Sequence, residues 1–267
     1  MLNLIERTES PCLVRRTMAE QCVILADSPG ALVELCGISV LERLLRTLQR
    51  CGLDQAIVLS STGEPIAWEL ARPSWARAGL DLKLQSRAVG PVTIEQIVDL
   101  WARNSGGSEL LLVVPGNVVY DSRLLQLLIS QNESAALVDS AVPRKLSRLT
   151  ASAPDTKCGK LCGPAIMRRE WAFAQTGTLE EVLRQGLEQN TLTALDVAAQ
   201  PLYHAALRRK LRPYWFPAPS FEHFKMAERV LLDSTRKSTL DIPAIVLVQS
   251  KRFLFHNCAK PRSRQIN

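Results

Sequence analysis

A strand, a short loop and a helix follow one another between residues 22 and 51, an order that can form a phosphate site. The apolar run CVILA (22–26) predicts a strand buried on both faces, and apolar residues recur at helical spacing over 39–51. A phosphate site at such a junction uses backbone N–H groups, the helix N-terminus and positive charge. The loop, Asp27-Ser28-Pro29-Gly30, has no Lys or Arg, and its first glycine is Gly30. The stretch therefore has the order of a phosphate pocket without its charge.

A second chemical candidate follows the most apolar predicted strand, ELLLVVPG (109–116). Pro115, Gly116 and Asn117 stand at its end, and Asp121 follows shortly after. An Asn carbonyl oxygen can ligate Mg²⁺ but carries no charge, whereas Mg²⁺ prefers carboxylate and phosphate oxygens. Asp121 opens the predicted helix 121–130, where an Asp normally acts as a cap. We predict no metal site at this position, where Asn117 and Asp121 are the only candidate ligands.

Other reactive residues lack the partners that their chemistry requires. Cys158 and Cys162 are the only close cysteine pair, and no second Cys/His pair accompanies them, so no zinc site is predicted. Ser28 and Ser60-Ser61 have no nearby His/Asp pattern that would make a serine nucleophilic. No catalytic residue is assigned from these patterns.

The elements that must position these residues alternate between strand and helix with short connections. This alternation predicts an α/β fold, a three-layer Rossmann-like architecture with a mostly parallel sheet and helices on both faces. Ligands of such sheets bind at the carboxyl ends of the strands, where 26–30 and 115–117 fall. The remaining predicted strands are 55–61, 80–86 and 134–142, and the remaining helices are 65–79 (broken at Pro73), 93–103 (capped by Thr93) and 178–190 (with a Thr178–Glu181 capping box).

The pattern loosens in the second half of the chain. Residues 143–162 predict either an excursion over the ligand-binding face or a β-ribbon, and GPAIMRREWA (163–172) predicts a strand followed by a helix. Residues 201–219 read as irregular, and 220–237 as a long helix capped by Ser220. Four cations of the excursion could reach the ligand-binding face, although solvated loop charges are the simpler interpretation: Arg144, Lys145, Lys157 and Lys160.

Composition places the chain among globular proteins of a reducing compartment. Hydrophobic residues make up 46% and charged residues 22%, and the seven cysteines are odd in number. Cys22 and Cys36 lie in apolar runs, which predicts buried free thiols. The net charge is +7, but residues 251–267 carry five basic residues and no acid, which leaves +2 for the rest. A basic face interleaved with aromatics is missing, so nucleic acid is not a predicted partner.

Targeting and domain signals are equally sparse. The first ten residues carry charges and no apolar core, so no signal peptide is predicted, and no stretch is apolar for the 18 or so residues of a membrane span. We expect a cytoplasmic protein, with the inner face of a membrane as the alternative location. Three segments are predicted: an extension over 1–19, a folded domain over 20–235, and a basic tail over 236–267, partly disordered.

Four segments together resemble the sugar- and alditol-phosphate nucleotidyltransferase superfamily, which has a GT-A-like Rossmann fold. The likeness is closest to inositol-phosphate cytidylyltransferase-type domains, which precede CDP-alcohol phosphotransferase domains in some bifunctional lipid enzymes. It covers roughly residues 20–250. The segments are VILADSPGALVELCGISVLERLLRTLQRCGLDQAIVLSS, ELLLVVPGNVVYDSRLLQLL, YWFPAPSFEHFKMAERVLL and RKSTLDIPAIVLVQSKRF.

The resemblance implies that a sugar phosphate attacks the α-phosphate of a nucleotide. Negative charge then develops around that phosphorus, and cations must balance it. The family places an Arg in its Gly-rich loop, a Lys after Pro, an Asp after Gly, and a second Asp before Thr-Pro-Glu. The matching positions here are Asp27-Ser28, Pro29-Gly30, Gly116-Asn117 and Pro219, and none carries the charge. Each lost charge-assisted contact is on the order of 1.5–3 kcal/mol, and about 1.4 kcal/mol is a factor of ten in rate. The implied nucleotide-binding residues are Leu25, Ala26, Asp27, Ser28, Pro29, Gly30, Gly90, Thr93, Pro115, Gly116 and Asn117.

Three functions follow from these observations. The first is a nucleotidyltransferase-like domain that binds a nucleoside triphosphate, a sugar phosphate or an inositol phosphate, using Mg²⁺ only if it is active. The second is a non-catalytic module that docks on, or regulates, a membrane CDP-alcohol phosphotransferase of phospholipid synthesis. The third is an unrelated Rossmann-like binding protein. The third is excluded if 115–117 and 219–222 converge on the loop 26–30, which we expect to face 116–117 across a crevice.

Overall fold

The computed structural model describes residues 21–104, 108–200, 202–204 and 209–236. The extension predicted for 1–19 and the tail beyond Arg236 lie outside the described residues. The strands are β1 (Gln21–Leu25), β2 (Glu34–Leu35), β3 (Ile38–Ser39), β4 (Gln55–Ser60), β5 (Asp81–Ser86), β6 (Leu110–Pro115), β7 (Val118–Tyr120), β8 (Ala135–Asp139), β9 (Asp155–Thr156), β10 (Gly159–Arg168), β11 (Thr193–Asp196), β12 (Leu202–His204), β13 (Arg209–Leu211) and β14 (Trp215–Pro217). The helices are α1 (Val40–Arg50), α2 (Gly63–Ala71), α3 (Ile94–Asn104), α4 (Ser122–Ile129), α5 (Arg144–Ser147), α6 (Arg169–Phe173), α7 (Leu179–Glu188) and α8 (Phe224–Arg236).

One sheet of eight strands forms the centre of the domain. Its order is β11-β8-β10-β6-β1-β4-β5, and β9 pairs with β10. The pairs that β1 makes with β4 and β6 are parallel, as are β4 with β5 and β8 with β11. The antiparallel pairs among the described strands of this sheet all involve β10, which runs against β6, β8 and β9. The predicted α/β fold with a mostly parallel sheet is confirmed.

Helices cover both faces of this sheet, because alternate side chains of its central strands point to opposite faces. Cys22 and Ile24 of β1 pack in a cluster with the apolar stripes of α1 and α4. Val23 packs on the other face with α3 and α7. The apolar run 22–26 that predicted β1 reflects the burial of this strand between two hydrophobic clusters, one on each face of the sheet. The predicted three-layer arrangement is confirmed.

A small hairpin, β2–β3, joins the loop after β1 to α1. Its turn residues Cys36 and Gly37 both have positive φ, 52° and 76°, as a two-residue type I′ turn requires. Cys36 is therefore exposed, and the prediction of a buried thiol at this position is wrong; its apolar neighbour Leu35 is the buried residue of the hairpin. Cys22 is fully buried, as predicted, and burial raises the pKa of its thiol well above the ordinary value.

Most predicted boundaries agree with the described elements. Thr93 exchanges hydrogen bonds with Gln96 at the start of α3, and Thr178 forms the predicted capping box with Glu181. The helix broken at Pro73 is observed as α2 and a separate 3₁₀ turn, Trp75–Arg77.

Three later expectations need correction or a choice. Residues 143–162 contain α5 and the ribbon β9–β10, so the ribbon alternative holds and β10 begins at Gly159 rather than near 163. Residues 201–219 are not wholly irregular, since β12, β13 and β14 lie within their described part. The predicted cap by Ser220 is wrong: a 3₁₀ turn, Phe221–His223, precedes α8, and the Ser220 hydroxyl contacts His223 Nδ1 instead.

The helices of the described residues are too short and too polar to cross a bilayer. The longest of them, α8, has 13 residues.

Candidate functional site

The loop after β1 is held at the carboxyl edge of the sheet by the side chain of Asp27. Its Oδ1 accepts hydrogen bonds from the Ser61 N–H at 2.7 Å, the Ser61 hydroxyl at 2.8 Å and the Ser60 hydroxyl at 3.3 Å. Its Oδ2 forms an ion pair with the guanidinium of Arg87. The side chain of Asp27 thus points toward the ends of β4 and β5. Its carboxylate links the ends of β1, β4 and β5, which are neighbours in the sheet.

Arg87 is a cation at this edge that the sequence did not single out. Its side chain is only 8% exposed, and Nη1 donates to the carbonyls of Ala88 and Gly90 at 2.9 and 2.7 Å. Its position directly after the predicted strand 80–86 was the signal that could have found it. The guanidinium already has a carboxylate partner, so it is not a free countercharge for phosphate.

The pKa of Asp27 is lowered by these contacts. Desolvation by burial raises it, but the hydrogen bonds from Ser61 and the charge and hydrogen bond of Arg87 together outweigh that effect. Asp27 is therefore charged at neutral pH, and its charge is balanced within the protein.

Few backbone donors remain in the loop for a bound phosphate. The N–H groups of Ala26 and Ser28 donate to Leu59 O and Thr62 Oγ1, and those of Ala31 and Leu32 donate to carbonyls of the loop itself. Pro29 has no N–H. Only the N–H groups of Asp27 and Gly30 remain without a hydrogen bond in this described segment, whereas a phosphate cradle uses several convergent donors.

The loop 26–30 and the segment 116–117 meet, as predicted, but in direct contact rather than across an open crevice. A Cβ placed on Gly30 would lie 3.1 Å from Asn117 Cβ, and one placed on Gly116 would lie 2.7 Å from Ala26 Cβ. Gly116 N also donates to Leu25 O at 2.7 Å, which continues the β1–β6 pairing to the loop. The absence of side chains at both glycines is what allows this closure.

The segment around Pro219 joins the same place. Ala218 N donates to Asn117 O at 2.6 Å, and β14 pairs with β7 directly after Asn117. Asn117 and Ala218 therefore meet beside the loop 26–30, directly before the segment PSFE, whose Phe221 side chain is exposed.

The residues at this edge do not fit a Mg²⁺ site. Asp121 caps α4 through the Arg123 N–H at 3.1 Å and pairs with the Arg123 guanidinium at 2.5 Å, so the cap prediction is confirmed. Asn117 offers an uncharged amide, and Pro219 has no side-chain ligand. In the described part of the chain, no three His, Cys, Asp or Glu side chains are placed so that they could hold a metal ion. Cys158 and Cys162 therefore do not belong to such a group.

Two of the candidate cations in 143–162 are occupied elsewhere. Lys157 donates to Glu188 O and to Asn190, and Lys160 pairs with Asp155 at 3.0 Å and donates to Ala153 O at 3.1 Å. Neither supplies a free cation to the loop 26–30.

An open cavity of about 280 Å³ lies next to this closed edge. It is bounded by the end of β6, the bulged middle of β10, the first turns of α7 and strand β14. Among the described residues, Glu180 is the only charged one that lines it. The full lining is Pro115, Asn117, Val118, Ser152, Ala153, Pro154, Leu161, Cys162, Gly163, Leu179, Glu180, Leu183, Trp215 and Pro217.

A buried carboxylate fixes one wall of the cavity. Asp139, whose side chain is 1% exposed, accepts a hydrogen bond from Trp215 Nε1 at 2.9 Å, pairs with Arg212 and accepts from Ala141 N at 3.2 Å. The indole of Trp215 is therefore held in one orientation. Sequence reasoning missed this pair, although Asp139 ends a strongly apolar strand and Trp215 stands out in a segment read as irregular.

No protein-family model matches the sequence, and no curated protein matches it either. Solved structures do match the fold. A protein assigned as a glucose-1-phosphate thymidylyltransferase from Bacillus anthracis, in complex with sucrose, has 12% identity and a TM-score of 0.55, over 79% of this chain and 94% of that chain. The inositol-1-phosphate CTP transferase from T. maritima has 11% identity and a TM-score of 0.54, over 79% and 96%. HddC from Yersinia pseudotuberculosis, complexed with GMP-PN, has 13% identity and a TM-score of 0.53, over 79% and 99%.

This chain has the nucleotidyltransferase fold. At these identities the likeness concerns the fold alone, so the roles of its residues rest on the geometry described above. Within that nucleotidyltransferase fold, the edge at 26–30 is closed and internally neutralised, and the neighbouring cavity is open.

Proposed function

We propose that this nucleotidyltransferase-fold domain binds a sugar phosphate or an inositol phosphate and is degenerate in nucleotidyl transfer. The observation that carries the proposal is the open cavity directly beside a closed phosphate loop. Two of the structures with this fold are named for glucose 1-phosphate and inositol 1-phosphate, which supports a polyol phosphate as the ligand class.

The lining of the cavity suits a polyol ring better than a phosphate group. Asn117, Ser152 and Glu180 offer hydrogen-bonding groups, while Trp215 and the leucines offer apolar contact for ring C–H groups. Glu180 would repel a phosphate inside the cavity, because both are anions. The polyol therefore enters, and the phosphate remains at the solvent-facing mouth.

Nucleotidyl transfer would be slow or absent for a separate reason. Charge that develops at the α-phosphate needs preorganised cations and donors, and the matched positions carry Gly30, Asn117 and Pro219. Arg87, the nearest cation to the loop, is paired with Asp27. Binding of a nucleoside triphosphate would have to break this pair and separate Gly30 from Asn117.

Isothermal titration calorimetry tests the proposal with myo-inositol 1-phosphate, glucose 1-phosphate and CTP, each with and without Mg²⁺. We expect a polyol phosphate to bind independently of Mg²⁺ and CTP not to bind. Ser152→Trp, at an exposed lining position, should abolish this binding, whereas Ser147→Trp, exposed on the same segment but outside the cavity, should preserve it. Mg²⁺-dependent CTP binding, or equal binding by both variants, contradicts the proposal.

The closed phosphate loop also favours the second candidate function, a non-catalytic module associated with a CDP-alcohol phosphotransferase. Such a module needs no charged nucleotide site. It is favoured if none of these ligands binds and the full chain forms a stable complex with a purified alcohol phosphotransferase.

A further inference from the structure

The open cavity offers a ligand negative charge and no positive charge. Its lining contains no Lys, Arg or His within the described ranges, and Glu180 supplies a carboxylate. Two other polar groups of the lining residues are already used. The Trp215 N–H donates to Asp139 at 2.9 Å, and the carbonyl of Cys162 accepts from the Tyr120 hydroxyl at 3.0 Å. A ligand group that enters the cavity must therefore suit a carboxylate.

The carboxylate of Glu180 is available to a ligand. Glu180 and Leu183 are three positions apart on α7, so they are neighbours on the helix surface, and both line the cavity. Leu183 is buried, whereas Glu180 is exposed. The Glu180 carboxylate forms no hydrogen bond and no ion pair with any residue that the structure describes. Its charge therefore has no partner within that part of the protein.

The start of α7 does not need the Glu180 carboxylate for its own stability. A helix N-terminus favours negative charge, but Glu181 already serves this end of α7. Its carboxylate accepts from the Thr178 hydroxyl at 2.7 Å and completes the capping box. The two glutamates also offset the partial positive charge of the helix end, so this end does not make the cavity attractive to an anion.

The thiol of Cys162 indicates the same sign of charge at another wall of the cavity. Cys162 is buried and lines the cavity. Burial raises the pKa of this thiol well above its usual value, and the negative charges of Asp139 and Asp196 raise it further, more than Arg212 lowers it. The protein therefore disfavours negative charge at this wall as well.

We propose that the cavity selects a polyol phosphate that carries an ammonium group, that is, an amino sugar phosphate, and that the Glu180 carboxylate binds the ammonium. This inference rests on the proposed function, because it names the ligand class of the same cavity. An ammonium donates charge-assisted hydrogen bonds to a carboxylate, and the side-chain oxygens of Asn117 and Ser152 are further acceptors in the lining. The hydroxyl groups of a neutral polyol also donate to a carboxylate, but they leave its charge uncompensated.

Isothermal titration calorimetry of the full chain tests the selection with glucosamine 1-phosphate, glucose 1-phosphate and N-acetylglucosamine 1-phosphate. These ligands share a ring and a phosphate, and they differ in carrying an ammonium, a hydroxyl or a neutral amide at the same ring position. We expect glucosamine 1-phosphate to bind about tenfold or more tightly than glucose 1-phosphate. The N-acetyl compound should bind no more tightly than glucose 1-phosphate, because it lacks the positive charge.

The variant Glu180→Gln assigns the selection to this carboxylate. It keeps the size of the side chain and removes its charge, so it should abolish the difference between glucosamine 1-phosphate and glucose 1-phosphate. Glu188→Gln is the matched control, at an exposed position near the other end of α7 and outside the cavity lining, and it should keep the difference. Both substitutions are at exposed side chains, so thermal melting should show that both variants fold like the wild type.

The outcomes separate this inference from the function on which it rests. Equal affinities of the wild type for glucosamine 1-phosphate and glucose 1-phosphate overturn the inference and leave the proposed function standing. A preference for the ammonium ligand that persists in Glu180→Gln also overturns the inference, since another group would then bind the ammonium. If none of the polyol phosphates binds, the proposed function and the inference both fail.

Discussion

The loop 26–30 and the cavity beside it occupy the same edge of one sheet, yet they are built in opposite ways. At the loop, small residues permit contact, and Asp27 and Arg87 neutralise each other. At the cavity, larger side chains such as Leu183 and Trp215 line an open space, and Asp139 fixes the Trp215 indole by a hydrogen bond. The difference shows that a position at the carboxyl ends of parallel strands does not by itself make a binding site. Side-chain size and the use of polar groups decide which part of the edge stays open.

The largest expected effect is at the cavity wall. Asp139→Ala leaves Arg212 and the Trp215 N–H without their acceptor, and breaking a buried pair in this way costs about 3–5 kcal/mol. Urea denaturation should show this loss of unfolding free energy. Asp155→Ala, which removes an exposed partner of Lys160, should cost less than about 1 kcal/mol. Similar losses for the two variants would mean that the Asp139 cluster does not stabilise the wall.

An intermediate effect is expected where the two segments meet. Gly116→Ala puts a Cβ within 2.7 Å of Ala26 Cβ, and such overpacking costs about 1–3 kcal/mol. Ala26→Gly removes the opposing atom, so the double variant should be more stable than the two single losses predict. A double-mutant cycle by urea denaturation measures this coupling. Additive losses would show that the loop and the Gly116 segment are not in contact.

The smallest effect is expected at Asp27, and it depends on pH. The folded-state pKa of Asp27 is lowered, so its ionisation stabilises the fold fully above the unfolded value of about 3.9 and loses this effect as pH falls through the folded value. The difference in unfolding free energy between the wild type and Asp27→Asn should be constant near neutral pH and decrease below about pH 4. Ser61→Ala removes one donor and moves the folded-state pKa of Asp27 toward the unfolded value, so the decrease should be smaller and should level off at a higher pH. A pH-independent difference would show that the Asp27 charge does not stabilise the loop.

The sequence by itself determined the elements and their order. Strands buried on both faces appear as unbroken apolar runs such as 110–114, and the caps at Asp121 and Thr178 depend on contacts within three residues. These are local signals, and local spacing encodes them directly. The resemblance to nucleotidyltransferases rested on the order of such elements, and the fold confirms it. The same local signals led to wrong predictions at two positions. Cys36 is exposed in a type I′ turn, and a 3₁₀ turn after Ser220 replaces the expected helix cap.

The tertiary structure alone decided the state of the site. Asp27 and Arg87 are 60 residues apart in sequence, and Asp139 and Trp215 are 76 apart, so no spacing pattern could pair them. The sequence showed that charges were missing at Gly30 and Asn117, but not that these residues touch. Closure and openness depend on distances between separate strand ends, which only the packing of the whole sheet sets.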